Sequence, residues 1–593
     1  MIDSLKKKEK RLHGLVEKWT LKLQKHQSAR LTTGLIIFLS FIPITMMEKA
    51  QWVFTIPGVL ILIFVVLVIR TRKIQRHALH LERHLQFTRR QLNRCLGKES
   101  QRSWKPAYEL RDQYPLISDI GLMGSHSLWT LLDETLSEGG MRKLLGWMST
   151  TPKAETIKSR QKTIQNLRSE SWFYTRLSIT ANSNDMNLST SQIQNFLKNS
   201  FVNPSFMKLL FLNLGLWILT AAAFIFSAQT EYQFPRVVFW IFPVLSMVSI
   251  SSVKHVFSEG TGLAVHLEVL APIFAAIEKR TQTNKAMANL CPTVKAHSPS
   301  KAARKLEIIL SFLGTQTNPL LHFLLNAFLP WTMVSVFFLE VLRKKITKDF
   351  PECLNELSEL EVIGSLLIFD KYQTQTYAEF KNQISLSCEQ VFHPLLDRSK
   401  VVANDFSFSQ GQSLGLLTGS NMSGKSTFLR TIGINQVLAN MGAPVFAKSF
   451  STYPMKVETC IEVSDSLRDG YSYFYAEVRR LKDILQSAAS KQPILYLIDE
   501  IFRGTNNRER QIGSRAVIKT LAQESTALGF ISTHDLELTV LEQSNPSLIN
   551  LHFREDINES GQMVFSYHLN HGPCPTTNAL KIMAAEGIKV EDI

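Results

Sequence analysis

A chain of 593 residues and 67.4 kDa is too long for one hydrophobic core, so several domains of ~100–200 residues each are expected. Hydrophobic residues make up 45% and charged residues 20%, which excludes a disordered chain, yet the formal charge is +16 and the pI about 9.4. Apolar residues gathered in membrane spans, with Lys and Arg gathered in their flanks, reconcile the two.

The first 30 residues form a basic lead that includes Lys6, Lys7, Lys8, Lys10 and Arg11. Leu31–Met47 and Trp52–Ile69 then carry no charge, and each is near the ~17–25 residues that a membrane-crossing helix needs. Only Glu48, Lys49, Ala50 and Gln51 separate them, so 31–69 reads as a transmembrane hairpin with a short external turn. A signal peptide fits badly, because the charged leader is long and a second span follows at once. Arg70, Arg72, Lys73, Arg76, Arg83, Arg89, Arg90 and Arg94 open a basic helical connector at 70–105. Both flanks of the hairpin are therefore cytoplasmic by the positive-inside rule. With Leu79, Leu81, Leu85 and Leu92 the connector suits an amphipathic helix, whose basic face either meets DNA phosphates or anionic lipid headgroups or merely enforces topology.

A second pair, Leu209–Ala228 and Val237–Val253, predicts another hairpin at 206–253, with Glu231 and Arg236 in its turn and Trp217 and Trp240 as interface anchors. Two buried core helices are the alternative. Pro319–Leu339 contains His322, Asn326 and Pro330, and a fifth span would put the C-terminal part outside, away from ATP. It is read as a buried soluble helix. The six cysteines show no CxxC spacing, so neither a zinc site nor a disulfide framework is expected, in keeping with a reducing compartment.

Leu414–Thr418 is apolar and runs into Gly419-Ser420-Asn421-Met422-Ser423-Gly424-Lys425-Ser426, a complete GxxxxGK[ST] that continues as Thr427-Phe428-Leu429 in helical pattern. The glycines let backbone N–H groups and the helix N-terminus face phosphates; Lys425 reaches the β/γ oxygens and Ser426 offers a hydroxyl to Mg²⁺. Downstream, Ile494–Ile498 reads as a buried parallel strand ending in Asp499-Glu500. Asp499 is placed to hold Mg²⁺ through water, Glu500 to orient and deprotonate the attacking water. A third strand, Leu528–Ser532, leads to His534, either a γ-phosphate sensor or a structural histidine.

These residues resemble the MutS family of mismatch-repair ATPases. Thr418–Thr427 is similar to its TGxNMxGKST loop, Asp499-Glu500-Ile501-Phe502-Arg503-Gly504-Thr505 to its DEIGRGT box, and Ser532-Thr533-His534 to its switch histidine. His393-Pro394 and Val402–Asp405 resemble the approach to that loop. Ser464–Glu477 resembles the signature loop, which implies that Ser472 reaches across a dimer to the partner's γ-phosphate. Leu128–Leu145 and Leu357–Leu366 resemble the start and the closing helix of the MutS core. The resemblance implies an α/β P-loop ATPase domain of ABC type at 385–593, with dimerisation elements, preceded by an all-α MutS-like core at 106–205 and 254–384. It also implies that ATP binds at Gly419–Thr427. The chain departs from the family in three places. No mismatch-reading domain with its Phe-x-Glu element precedes residue 106, the second hairpin stands where the lever helices and DNA clamp would be inserted, and Asn506–Arg510 differs after the DEIGRGT-like box.

The reading is a homodimeric, membrane-anchored MutS-like ATPase of the bacterial inner membrane, with its ATPase domain cytoplasmic and DNA as a candidate partner. A membrane-tethered assembly ATPase without DNA binding is the rival. An ABC-type transporter half is a third reading, although the LSGGQ signature is absent.

Overall fold

The computed structural model describes residues 2–40, 55–98, 116, 119–124, 126–181, 188–200, 202, 205–229, 238–250, 254–313, 319–372, 376–398, 400–462, 473–502, 506–557 and 563–575. The chain divides into a unit of 1–133, 147–162 and 368–593, and a unit of 134–146 and 163–367. The N-terminal part is mostly helical and the C-terminal part is α/β.

In the first unit, α1 (Ile2–Ser40) and α2 (Thr55–Cys95) pair antiparallel. The direction follows from Arg89 Nε on Glu9 Oε1 at 2.8 Å, the Trp19 and His77 rings at 4.4 Å, and Gly34 facing the Phe64 ring. At 1.5 Å per residue each helix is about 60 Å long. The second expected span from Thr55 onward and most of the basic connector are thus one continuous helix; the end of the first expected span, the turn and the start of the second, 41–54, lie outside the described residues. Leu5, Leu12, Ile74, Leu85, Phe87 and Leu92 bury the lower part, whereas Leu31, Leu35, Leu62 and Ile69 in the upper part are exposed. The base is tied down by Arg94, which donates to Thr130 O and Asp133 O, both at 2.8 Å, and by Cys95 Sγ, which donates to Tyr372 O at 3.3 Å. Burial, then Lys8 and His80, push His84 down to about 4, so this connector histidine adds no charge near neutral pH.

A six-stranded sheet lies in the C-terminal part of that unit. Its strands are β1 (Leu414–Thr418), β2 (Lys456–Cys460), β3 (Ile494–Ile498), β4 (Ala527–Ser532), β5 (Leu548–Ile557) and β6 (Met563–His571), in the order β6-β5-β1-β4-β3-β2. All neighbours are parallel except β5 and β6. Every residue of β1, β3 and β4 is buried, because helices cover both faces of a parallel sheet. Gly529 lies so close to β3 that a Cβ there would meet Tyr496 O at 2.0 Å. A smaller sheet of Glu379–Phe380, Ser449–Thr452, Leu386–Val391 and Asn404–Ser407 joins it through aromatic contacts. Phe530 of β4 meets Phe406, Phe408 and Phe428 with ring centroids 4.9–5.4 Å apart.

In the second unit, the two segments that resemble the MutS core come together. Glu361, fully buried, accepts from Leu136 N and Ser137 N at 2.9 Å and from Ser137 Oγ at 3.0 Å. Gly364 leaves room for the Tyr174 ring, whose hydroxyl donates to Glu134 O and Glu361 O at 3.1 and 3.2 Å. Glu170 is held by Arg280 in a two-pronged pair of 2.5 and 2.6 Å, with Asn284 Nδ2 at 2.7 Å. The Arg280 guanidinium holds the Glu170 carboxyl below its usual range, so its stabilisation is present near neutral pH and is lost as pH falls through that lowered value. Arg280→Ala is expected to cost about 2–3 kcal/mol, less than a wholly buried pair because Arg280 reaches the surface. Thermal unfolding checks this; a variant as stable as the parent would contradict it.

The same unit carries α3 (Phe206–Gln229), α4 (Val238–Ile250), α5 (Lys254–Thr283), α6 (Pro299–Leu313), α7 (Pro319–Phe328) and α8 (Trp331–Ile346). Among the described residues one stretch, Phe206–Ser227, is long and apolar enough to cross a membrane, with 11% of it buried. The single buried helix expected at 319–339 is not found. Pro330 has no N–H and would clash with the preceding turn, so the helix breaks into α7 and α8, and Phe328 beside the break is 74% exposed.

Candidate functional site

The site lies at the C-terminal ends of β1, β3 and β4. After the buried β1 the chain turns through Gly419–Gly424 into the helix α9 (Lys425–Met441). Two glycines make the turn possible: Gly419 has φ +138° and lies against Phe553 O, where a Cβ would approach to 2.6 Å, and Gly424 has φ +115° at the helix start. Met422, also at positive φ (+68°), stands out at the loop tip beside exposed Asn421. Ser423 Oγ donates to Ser420 O at 2.8 Å and braces the loop. Lys425 is almost fully buried, and its Nζ donates to Gly419 O at 2.8 Å and Ser420 O at 2.7 Å. The loop thus wraps its own lysine, with half-buried Ser426 and exposed Thr427 on the first turn of α9.

Asp499 follows β3 directly, its N–H donating to Cys460 O at 2.9 Å. Ser532, the last residue of β4, links the two acids: its hydroxyl donates to Asp499 Oδ1 and accepts from Glu500 N. Glu500 has φ +51° and Phe502 φ +61°, a turn that L side chains rarely adopt. It is held open from behind. Buried Glu477 accepts from Phe502 N at 2.5 Å, and the Phe502 ring occupies the space that a Cβ on Gly513 would need. This strain aims Glu500 Oε1 at His534 Nε2, 2.9 Å away, and the same nitrogen lies 3.0 Å from Asn421 Oδ1. Asn421, Glu500 and His534, far apart in the chain, are therefore in contact.

A second layer positions α9. Arg430 Nε donates to Asp119 O at 2.9 Å, and its Nη2 to Glu462 Oε1 at 2.5 Å. Fully buried Asp119 accepts in turn from Ile461 N and Arg480 Nη1, each at 3.0 Å. Burial, then the Arg430 and His126 charges, push His393 down to about 4, which keeps it neutral near pH 7. Sequence reasoning missed Ser532 and Asp119 as site-building residues. Ser532 had a readable signal, a hydroxyl at the end of an apolar strand beside the acidic pair; Asp119 had none. Ser472 and Arg503–Thr505, both singled out above, lie outside the described residues.

Among the described residues no group of three or more His, Cys, Asp or Glu could cage a metal ion. Ser426 and Asp499 offer one hydroxyl and one carboxylate. That hard, oxygen-only set suits a Mg²⁺ ion that keeps most of its waters and takes its remaining ligands from a phosphate chain.

Residues 415–591 match the family model described as MutS domain V. The C-terminal part is similar to the DNA mismatch repair protein MutS of an Exiguobacterium species, 32% identical over 235 residues, which covers 39% of this chain and 27% of that protein. It is similar also to the DNA mismatch repair protein MutS of Leuconostoc citreum, 31% identical over 241 residues, covering 40% of this chain and 28% of that one. The chain thus matches little more than a quarter of the length of these curated relatives.

Proposed function

From the premise that its C-terminal part is a MutS domain V, we propose that this chain is a membrane-anchored, dimeric ATPase of mismatch-repair type. The observation that carries the proposal is the convergence of Asn421, Glu500 and His534 on a glycine loop that holds Lys425 at the start of a helix.

Backbone N–H groups of Gly419–Lys425 and the positive end of α9 receive the β- and γ-phosphates of ATP. Lys425 exchanges its two loop carbonyls for phosphate oxygens, the step that converts the closed loop into a binding cradle. Ser426 and Asp499 would hold a Mg²⁺ ion, which when bound would supply charge opposite the phosphates. Glu500 accepts a proton from the attacking water; the oxygen of that water bonds to the γ-phosphorus as the β–γ bridging bond breaks, giving ADP and phosphate. His534, donating from Nε2, positions Glu500 and lies close enough to Asn421 to report on the loop's state. Asp499 is oriented by the Ser532 hydroxyl.

The signature-like segment ending at Glu477 supports a second copy of the chain as partner, with Ser472 acting in trans. A Ser472→Ala chain mixed with a Lys425→Ala chain is then expected to regain about one working site per dimer. Phosphate release from the mixture measures it; no recovery above the separate variants contradicts a shared site.

Membrane anchoring is supported by the exposed aliphatic upper half of the α1–α2 pair and by Phe206–Ser227. DNA is proposed as the polymer acted on, on the strength of the MutS relationship. An assembly ATPase without DNA binding is the second reading, favoured by α3 and α4, whose apolar exposed surfaces occupy the stretch where the resemblance would place a clamp. Binding of full-length protein in lipid nanodiscs to duplex, mismatched and branched DNA at low salt separates the two: retention of any of these DNAs supports the first reading, and none supports the second.

A further inference from the structure

The helices α1 and α2 together hold 17 Lys and Arg against four Asp and Glu, so a formal +13 of the chain's +16 stands on one antiparallel pair. Four acids can neutralise at most four of those cations, and Glu9 is already taken by Arg89. At the base, burial and then the charge of Lys371 push the Lys8 ammonium toward its neutral form, so cations here repel one another. On α1, Lys7, Arg11, Lys18, Lys22 and Lys25 are all exposed and recur at steps of three, four and seven, which puts them in one row along the helix. Gly14 fills the one gap in that row and leaves open space where a Cβ would stand. Lys73, Arg76 and His80, exposed on α2, form a second row by the same period.

The two rows share a side of the pair. Lys22 Nζ stands over the Trp19 ring at 4.7 Å, and that ring meets His77 of α2 at 4.4 Å. Lys18 and Lys25 lie four before and three after Lys22, and Lys73 and His80 stand in the same relation to His77, so both rows lie on the side where these rings touch. From Lys7 to Lys25 the α1 row is about 27 Å long, the length of about eight base pairs of a duplex that carries one phosphate charge per ~1.7 Å. Lipid headgroups cannot fill that length. The exposed apolar part of α1 begins at Leu31, about 9 Å along the helix from Lys25 and about 36 Å from Lys7, whereas exposed charges act over roughly 8 Å at physiological salt. The lower charges therefore face a polyanion in water. Ammonium groups on flexible stems meet phosphates as point charges and read no base edge. We propose that this face of the α1–α2 pair binds the phosphate backbone of duplex DNA without regard to base sequence. The proposal rests on the DNA reading above and adds the place where the duplex is held, on helices outside the match to MutS domain V.

Full-length protein in nanodiscs of neutral phosphatidylcholine, titrated with a labelled duplex of about 30 base pairs at about 50 to 200 mM salt, tests it by fluorescence anisotropy. The triple variant Lys7→Ala, Arg11→Ala, Lys18→Ala is expected to bind about tenfold or more weakly at the lowest salt. Its plot of log affinity against log salt is expected to be flatter by about 2–3, since each lost phosphate contact removes about 0.9 from the slope. A second triple, Lys25→Ala, Lys73→Ala, Arg76→Ala, is expected to move both quantities the same way, so that one poorly folding variant does not decide the matter. Lys301→Ala, Arg304→Ala, Lys305→Ala removes the same charge from exposed positions on α6 and is expected to bind as the parent does. Parent that binds duplex while both row variants match it in affinity and slope overturns the site and leaves the DNA reading standing. Equal weakening by the α6 variant reduces the effect to net charge and overturns the site too. Row variants that lose flotation with anionic phosphatidylglycerol vesicles while keeping parental DNA affinity assign the face to lipid, which also overturns it. Parent that retains no duplex removes the DNA reading itself, and the inference with it.

Discussion

Glu500→Gln is expected to bind ATP as the parent does and to hydrolyse it about 10²–10⁴-fold more slowly. The amide keeps the shape of the carboxylate and can still meet His534 Nε2, now 2.9 Å from Oε1, but it cannot take a proton from water. The strained turn also survives, because φ +51° at this position is fixed by Ser532 in front and by Glu477 and Phe502 behind, none of which the substitution touches. ATP is therefore expected to stay bound, and the proposed dimer to accumulate. Single-turnover hydrolysis with nucleotide binding measured alongside checks the outcome. Turnover at the parental rate would move the base role to another residue.

Lys425→Ala is expected to fail earlier, at nucleotide binding, and to reduce turnover by about 10²–10³-fold or more. Two effects add. The charge opposing the β- and γ-phosphates is lost, and the carbonyls of Gly419 and Ser420, each bonded to Nζ at 2.7–2.8 Å, lose their shared donor, so the loop no longer closes on itself. Weak binding and lost turnover together distinguish this variant from Glu500→Gln, in which only turnover falls. Undiminished turnover would remove the loop from the mechanism.

Much of the α/β part was legible because its chemistry leaves strong marks. β1 and β3 read as strands since a parallel sheet covered on both faces demands unbroken apolar runs, and Leu414–Thr418 and Ile494–Ile498 are such runs. The contact of residues 136 and 137 with Glu361 left no mark in the sequence, since a buried acid reads as a surface residue until its donors are seen. Other features were invisible for definite reasons. Charge counting treats Arg94 as a cation flanking a membrane span, yet it is buried and spends its donors on the carbonyls of Thr130 and Asp133. The span and its basic connector fuse into α2 because nothing between Ile69 and Cys95 breaks a helix, while composition changes abruptly at Arg70. The opposite error arose at Pro330. Hydropathy runs through it smoothly, but the backbone cannot.

The site shows how a loop, two strand ends and a distant helix share one task. Glu477, whose neighbours carry the signature-like segment, holds the turn that aims Glu500, so a change in that segment has a direct route to Glu500. Arg430 and Asp119 give α9 a comparable link to the N-terminal part of the same unit, whose base carries the α1–α2 pair. On the proposed function, these contacts are the route by which the state of the glycine loop and the α1–α2 pair would influence one another.

The most direct test is phosphate release by full-length wild-type protein in lipid nanodiscs, with and without duplex and branched DNA at low salt. Magnesium-dependent turnover that shifts when DNA is added is the predicted result; no magnesium-dependent turnover from protein that is folded and inserted would contradict the account.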